Sequence, residues 1–493
     1  MRQTKPEPRP EHAGAEALDV DLDRSLPGTL PTGLPTAVFC AGSCSHPGAA
    51  IRRLTIKLDG TRHEAMQGIP RRGGRDGFWA LVPIPERTET GELTLSLEAD
   101  LDPPASASAP LARIDVVAPP GPARLPRTAT SMEPLIAVCM TTCDPDGDLF
   151  RTQIESLRAQ DDRRWICLIS DDCSAPESFD EIAATVAGDE RFVLARQERR
   201  LGFYRNFERV LRMVPPGIEL IALADHDDRW YPDKLAALRD AITGAELAYS
   251  DVRRVDRAGR VRAETLWDRR RMNHTNLASL LASNTIPGAA CLIRRRAVER
   301  ALPFPDSPGW DFHDHWLALV ALARGDIAYV DRPLYDYVQH PRAVLGRAAS
   351  QPAFGPEDRG VWAWLARRRG ARERWRAAYF TIFLQRRLYA SVLLSRCGAE
   401  LTPRKRRALR LIAGAESSPL ALAWLALRPA RALAGRNETL GEEAGMARGI
   451  IWLHATRLRA RLAGRAADDD DSGAPSFDPR PLESRQRRWL AGR

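Results

Sequence analysis

Between residues 135 and 242, short apolar runs alternate four times with longer stretches whose apolar residues recur every three to four positions. "LIAVCMT" (135–141), "WICLIS" (165–170), "RFVLA" (191–195) and "ELIALA" (219–224) read as buried strands, each a continuous apolar run of strand length. Between them Phe150, Ile154 and Leu157, then Phe179, Ile182 and Val186, then Phe203, Phe207, Val210, Leu211 and Val214 fall at helical spacing. A further helix, "PDKLAALRDAI", opens with Pro232 near its first turn. Helices of this length joining successive buried strands predict a doubly wound α/β sheet. "ELAYSD" (246–251) and "IAYVD" (327–331) predict later strands, with two packed segments between them.

The chain has 493 residues, too many for one ordinary domain. Residues 1–33, rich in Pro, Glu and Gly, predict disorder. From 34 to 118, pieces such as "TAVFCAG", "IRRLTIKLDG", "FWALVPI" and "ELTLSLEADL" alternate with turns and predict a small β-sandwich-like, all-β domain. A Pro-rich linker follows at 119–133, and the α/β domain occupies 134–350. Residues 356–465 read as a basic helical region, apolar on one side and studded with arginine, and 466–493 as a disordered tail.

A net charge of +9, carried mostly by arginine, suits an anionic partner: a nucleotide-sugar, a phosphorylated lipid or a membrane surface. No RNA-recognition, zinc-finger or helix-turn-helix pattern accompanies it, so nucleic acid is not expected. Of eight cysteines, Cys139, Cys167 and Cys291 lie inside apolar runs. Cys40 with Cys44, and Cys139 with Cys143, lack the downstream His or Cys pair of a zinc site. Reduced thiols in a cytoplasmic protein are the expectation. The start "MRQTKPEPRPEHAG" has no signal-peptide core, and no run of about 18 apolar residues predicts a spanning helix. The chain reads as soluble or peripheral on the inner face of the membrane.

Open α/β sheets bind ligands beyond the carboxyl ends of their strands. Acidic residues gather there: Thr141 and Asp144 after the first strand, Asp171 and Asp172 after the second, and Asp225-His226-Asp227-Asp228 after the fourth. Carboxylates at i and i+2 of a turn reach one hard cation, Mg2+ or Mn2+, which completes its shell with substrate phosphates and water. Helix capping competes as a reading for any single Asp here, and for one of Asp171 and Asp172 in particular. The other of these two suits an acceptor for the N–H of a uracil or thymine ring. Arg205 and Asn206 read equally as a solvated helix face or as contacts to diphosphate and ribose. "DFHDHWLALVALARG" opens a helix with Asp311 as its expected N-cap and Asp314 one turn later. Asp314, placed beside Trp310 and Trp316, is a candidate general base. His340, in "YVQHP", reads by itself as structural.

Together "AVCMTTCDPDGDLFRTQIESLRAQ", "LISDDCSAP", "RRLGFYRNFERVL", "ALADHDDRWYPDKL", "LAYSDV", "NTIPGAACLIRR" and "FHDHWLALVALARGDIAYVDRPLYDYVQH" resemble family 2 glycosyltransferases with the GT-A fold. The similarity is greatest to the rhamnosyltransferase-like group acting on bacterial surface polysaccharides, and it covers about residues 134–347. It implies a mixed doubly wound GT-A sheet. It implies Thr141 and Asp172 at the nucleotide base, with Asp144, Asp171, Arg205, Asn206 and Asp225 in the nucleotide-sugar site. Asp225 and Asp227 would be the D-x-D pair at the cation, with His340 a third ligand and Asp314 the base of an inverting displacement. The implied partners are a dTDP-, UDP- or GDP-linked sugar donor and a glycan or lipid-linked acceptor. His226 fills a position more often small or polar, and "PRAVLG" follows His340 where the family pattern has asparagine.

Two rival readings are set against this one. A nucleotidyltransferase needs a glycine-rich, basic phosphate loop near the first strand, where this chain has the acidic "TTCDPDGDL". A non-catalytic carbohydrate-binding or scaffold protein is the other; retention of Asp172, Asp225, Asp227 and Asp314 speaks against it. For the basic helices, contact with an anionic inner leaflet and a helical cover for the catalytic core stand as equal readings.

Overall fold

A computed structural model describes residues 18–70, 74–102, 104–124, 133–267, 271–306, 311–340, 370 and 372–463. The disorder expected for residues 1–17 and for the 466–493 tail lies outside the described residues, as do Trp310 and positions 125–132 of the linker.

Among the described residues, nine strands make up the N-terminal part: β1 (Asp19–Leu22), β2 (Thr29–Pro31), β3 (Thr36–Ser45), β4 (Ala50–Leu58), β5 (Thr61–Glu64), β6 (Met66–Pro70), β7 (Asp76–Ile84), β8 (Gly91–Asp102) and β9 (Ser106–Val117). They form two sheets, β1-β3-β7-β6 and β2-β9-β8-β4-β5. The facing sides bury Val38, Cys40, Phe78 and Val82 with Leu54, Ile56, Leu93, Leu97 and Ile114. In β8 every second residue from Leu93 to Leu101 is buried, as a sheet with one face inward requires. The disorder expected for 1–33 fails over its described part. β1 pairs antiparallel with β3, β2 pairs parallel with β9, and Leu18 and Leu30 enter the sandwich core. Composition hid this because these few apolar residues are stabilised only by sheets contributed from later in the chain.

The central part runs β10 (Ile136–Thr142), α1 (Gly147–Arg158), β11 (Trp165–Asp171), α2 (Pro176–Val186), β12 (Phe192–Arg196), α3 (Phe203–Arg212), β13 (Leu220–Ala224), β14 (Arg229–Trp230) and α4 (Lys234–Ala241). It continues with β15 (Leu247–Asp256), β16 (Val261–Ala263), α5 (Leu277–Ala282), β17 (Cys291–Arg294), α6 (Arg295–Ala301), α7 (His313–Arg324) and β18 (Ile327–Gln339). The sheet order is β12-β11-β10-β13-β17-β15-β18-β14, with β16 beside β15. β12, β11, β10 and β13 are mutually parallel, whereas β17 runs antiparallel to both β13 and β15. The sheet is therefore mixed. Every residue of β10, β11 and β13 is buried, which accounts for their uninterrupted apolar runs. Strands β11 and β12 lie on one side of β10 and β13 on the other, so the order reverses between β10 and β13. That switch point opens a crevice at their carboxyl ends. The strand expected at 327–331 extends to Gln339 through Pro333. The β15–β18 register shifts beside that proline, where a missing N–H is tolerated.

The C-terminal part contains α8 (Leu384–Arg396), entered through a π turn at Tyr379–Phe383, then α9 (Pro403–Ala413), α10 (Pro419–Leu427) and α11 (Glu442–Ala463). Thr402 and Ser418 cap α9 and α10 by accepting from Lys405 N and Ala421 N, each ahead of a first-turn proline. This region is wedged between the other two. Trp79 Nε1 of β7 donates to Tyr379 Oη at 3.2 Å, and Tyr379 donates to Glu416 at 2.9 Å. A Cβ on Gly449 would lie 2.7 Å from the Tyr379 nitrogen, so glycine alone lets α11 approach there. Buried Arg396 donates to the carbonyls of Pro35, Ala301 and Pro303 at 2.6–2.8 Å. One continuous core holds Phe39 and Trp79 of the sandwich, the central sheet and α8. Among the described residues no helix is long and apolar enough to cross a membrane.

Candidate active site at the sheet switch point

The loops leaving β10 and β11 are tied to each other. Buried Asp171 accepts from the Thr142 hydroxyl at 2.9 Å and from Ser174 N at 3.0 Å, which closes the turn into α2. Asp144, at φ +46°, accepts from Ala175 N at 2.8 Å and pairs with Arg200 at 2.7 Å. Asp172 holds a third segment, accepting from Leu201 N at 2.6 Å and Gly202 N at 2.8 Å. These bonds fix the approach to α3, whose cap residue Gly202 has φ +81°.

Arg205 and Asn206 are committed to the scaffold. Asn206 is buried, donates to Ser170 O at 2.8 Å and accepts from the Ser170 hydroxyl at 2.6 Å. Arg205 donates to Glu208 at 2.6 Å and to Phe304 O at 2.9 Å. Neither of the solvated-face and ligand-contact readings anticipated partners so far along the chain. Asp311 also differs from expectation. Phe312 occupies the cap position of α7, while Asp311 accepts from Gln385 at 3.1 Å and Tyr389 at 2.9 Å, orienting α7 against α8.

After β13 the chain turns through Asp225, His226 and Asp227, all half-buried, and Asp228, which is 1% exposed. His226 Nδ1 lies 3.1 Å from the Thr141 carbonyl. A carbonyl only accepts, so Nδ1 carries a proton. His340, at the end of β18, places Nε2 2.7 Å from Asp227 Oδ2. Burial and then the neighbouring Asp227 push the Asp225 carboxyl up to about 6. Against the same upward push of burial, Asp227 is held low by His226 and His340. Asp228 is pushed well above the carboxylate range by burial and by both neighbours. Neither of its oxygens has a well-formed hydrogen bond; the Val338 N–H and the Lys234 ammonium are the positive ends facing it.

Lys234 is fully buried, donates to Ala289 O at 2.5 Å and lies 3.5 Å from the centre of the Trp230 ring. Burial pushes its ammonium well below the usual lysine range, opposed by Asp228. No sequence signal marked Lys234, because it sits in an ordinary amphipathic helix pattern.

Asp314 stands in the first turn of α7 and accepts from His315 N at 2.6 Å. Burial, with the Asp225 charge adding to it, pushes its carboxyl up to about 7. The acidic loop and α7 therefore share one field across the crevice. Gly288 makes the approach possible, since a Cβ there would sit 2.9 Å from His313 Nε2 and 3.2 Å from Asp314 Cβ. His313 stacks on Phe207 with ring centres 3.5 Å apart, and burial pushes it down to about 3, so it is neutral. His315 Nε2 donates to Leu280 O at 2.7 Å. Sequence reasoning missed Gly288, which opens a single turn at Gly288–Ala290 ahead of β17 and whose neighbours on α7 come only from the tertiary fold.

The structure thus gathers Thr141, Asp225, Asp227, His340 and Asp314 about the crevice. Asp144, Asp171 and Asp172 frame its loops, and Arg205 and Asn206 act behind it. Carboxylate oxygens of Asp225 and Asp227 beside an imidazole suit a hard divalent cation in donor chemistry. Among the described residues, no group of three or more His, Cys, Asp or Glu side chains is arranged to hold a metal.

Residues 137–302 match the family model described as Glycosyl transferase family 2. The match takes in the acidic loop and ends before Asp314 and His340. With that segment forming the mixed sheet, the α/β GT-A fold class expected from sequence is the fold observed. The uncharacterized protein y4gI of Sinorhizobium fredii (strain NBRC 101917 / NGR234) is 30% identical over 129 residues, 26% of this chain. The chain spans only 14% of that relative's length. Among solved structures, TarS 1–349 of S. aureus in complex with UDP-GlcNAc is similar at 15% identity and TM-score 0.40, over 66% of this chain and 92% of that one. The mannosyltransferase PcManGT from Pyrobaculum calidifontis, in complex with GDP-Man and Mn2+, is similar at 18% identity and TM-score 0.33, over 66% and 87%.

Proposed function

We propose that this protein is an inverting, cation-dependent glycosyltransferase. It moves a sugar from a nucleoside-diphosphate sugar to a hydroxyl of a surface glycan or lipid-linked acceptor. The observation that carries the reading is Asp314: a carboxyl whose proton affinity lies near 7, at the head of a helix, in the field of an acidic loop at the sheet's switch point. A general base works best with its pKa near the operating pH.

Asp314 takes the proton of the acceptor hydroxyl as that oxygen forms its bond to the anomeric carbon. The bond from that carbon to the diphosphate oxygen breaks on the opposite face. Asp225, Asp227 and His340 would hold Mg2+ or Mn2+, which when bound neutralises charge on the departing diphosphate. Thr141 and Asp172 border the base position. An ionised carboxylate has about four acceptor positions, so Asp172 keeps capacity for a ring N–H beyond its two backbone donors. The sequence resemblance favours thymidine-diphosphate rhamnose as donor.

The test is a panel of dTDP-, UDP- and GDP-sugars with purified protein, scored by nucleoside diphosphate release. Release with one donor, silenced by EDTA and restored by Mn2+ or Mg2+, supports the reading. Full turnover after chelation removes the cation from it. Donor binding without release in the presence of acceptor glycans would favour the scaffold alternative.

A further inference from the structure

Among the described residues, apolar exposure is concentrated in one region. Leu420 is 82% exposed, Leu427 71% and Leu433 93%, all within α10 and the turn that follows it. Of the large hydrophobic residues that are exposed among the described ones, all but Val117 and Val261 belong to the C-terminal helical region. Leu420 and Leu427 are seven residues apart, two helical turns, and so share a face of α10.

Beside this face runs a line of cations. Arg404, Arg407 and Arg410 recur every third residue of α9 and are all exposed. No carboxylate among the described residues pairs with them. A groove of about 420 Å³ separates α9 from α10, lined by Arg406, Arg407, Arg410, Leu411 and Ser418 among others. Between Thr402 and Ala434 there are seven Lys and Arg and a single acid, Glu416, which is turned inward onto Tyr379 and Arg387. Exposed leucines next to unneutralised arginines match an anionic interface that has an apolar layer beneath it. A second copy of the chain fits less well, because a two-fold contact centred on α9 would bring one arginine row against the other.

We infer that the α9–α10 flank docks on an anionic lipid bilayer, with Leu420, Leu427 and Leu433 entering the headgroup–acyl boundary and Arg404, Arg407 and Arg410 meeting lipid phosphates. The inference rests on this flank alone and holds whichever reaction the crevice performs.

The experiment is flotation of the full chain with phosphatidylcholine vesicles, with and without phosphatidylglycerol. Binding appears only with the anionic lipid and weakens as salt is raised. Arg404→Glu/Arg407→Glu/Arg410→Glu weakens it by about a hundredfold or more, from the usual contribution of each basic residue near such a surface. Leu420→Asp/Leu427→Asp/Leu433→Asp abolishes it. All six positions are exposed, and an unchanged circular dichroism melt verifies the fold. Diphosphate release without vesicles stays at the parental level in both variants, so a failed docking face and a failed transferase assignment give different patterns. Absence of binding to anionic vesicles at low salt overturns the inference. So does binding indifferent to both variants, or a dimer in solution that the leucine variant dissolves.

Discussion

Asp314 ties the site's electrostatics to a pH profile. Its folded value of about 7 lies above the ordinary carboxylate range, so the basic form is lost as pH falls through 7. Under the transferase reading, kcat/KM is flat above that value and drops about tenfold per pH unit below it, as a rate–pH series with saturating metal will show. Asp314→Asn removes the base and lowers turnover about 10²–10⁴-fold, with nucleotide affinity by calorimetry nearly unchanged. The same variant melts at a higher temperature than the parent at pH 8. A raised folded pKa means that ionisation costs the folded state more than the unfolded one, and this cost grows between the unfolded value of about 4 and the folded value near 7. At pH 5 the two melting points draw together. Asp225, Asp227 and Asp314 were legible because each closes or opens an element whose apolar pattern fixes its position. The duties of Asp172, Arg205 and Asn206 were not, since Leu201, Phe304 and Ser170 reach them only through the tertiary fold.

At the scale of elements, α7 is held from two sides. Gly288 gives it room at its head, and α8 grips it through Tyr389 and Gln385, which donate to Asp311 just ahead of it, and through Arg396, which lies over the Trp316 ring. Arg396→Ala leaves the carbonyls of Pro35 and Pro303 without this donor, while Ala301 O keeps the Trp316 Nε1 bond. At about 1–3 kcal/mol for each orphaned group, a loss of ~2 kcal/mol or more is expected in urea unfolding. Gly288→Ala is expected to impair turnover more than stability, because its Cβ meets His313 and Asp314 rather than the sheet; kinetics and a melt on one preparation separate the two effects. Strands β10 to β13 were readable as continuous apolar runs between amphipathic helices. The short strands β1 and β2 and the passage of β18 through Pro333 were not. Local propensity there points away from strand, and pairing with β3, β9 and β15 outweighs it.

The whole molecule is tied together by contacts no local pattern announces. Trp79 stacks edge-on against Tyr379 and Phe380 and donates to the Tyr379 hydroxyl, joining the sandwich to the helices that back the site. Trp79→Ala is expected to cost about 3–5 kcal/mol and to lower the unfolding midpoint reported by the central sheet as well as by the sandwich. Separate, unshifted transitions would show that the parts unfold independently. The sheet's outer strands have a further bearing on this chain. β12 has five residues and β14 two, so the terminal strands of the large sheet are themselves short templates for a neighbouring polypeptide. Crowding copies together should therefore leave them resistant to cross-β growth, and any clumping should be greasy, reversible by mild detergent, and seeded from the leucine-bearing helices.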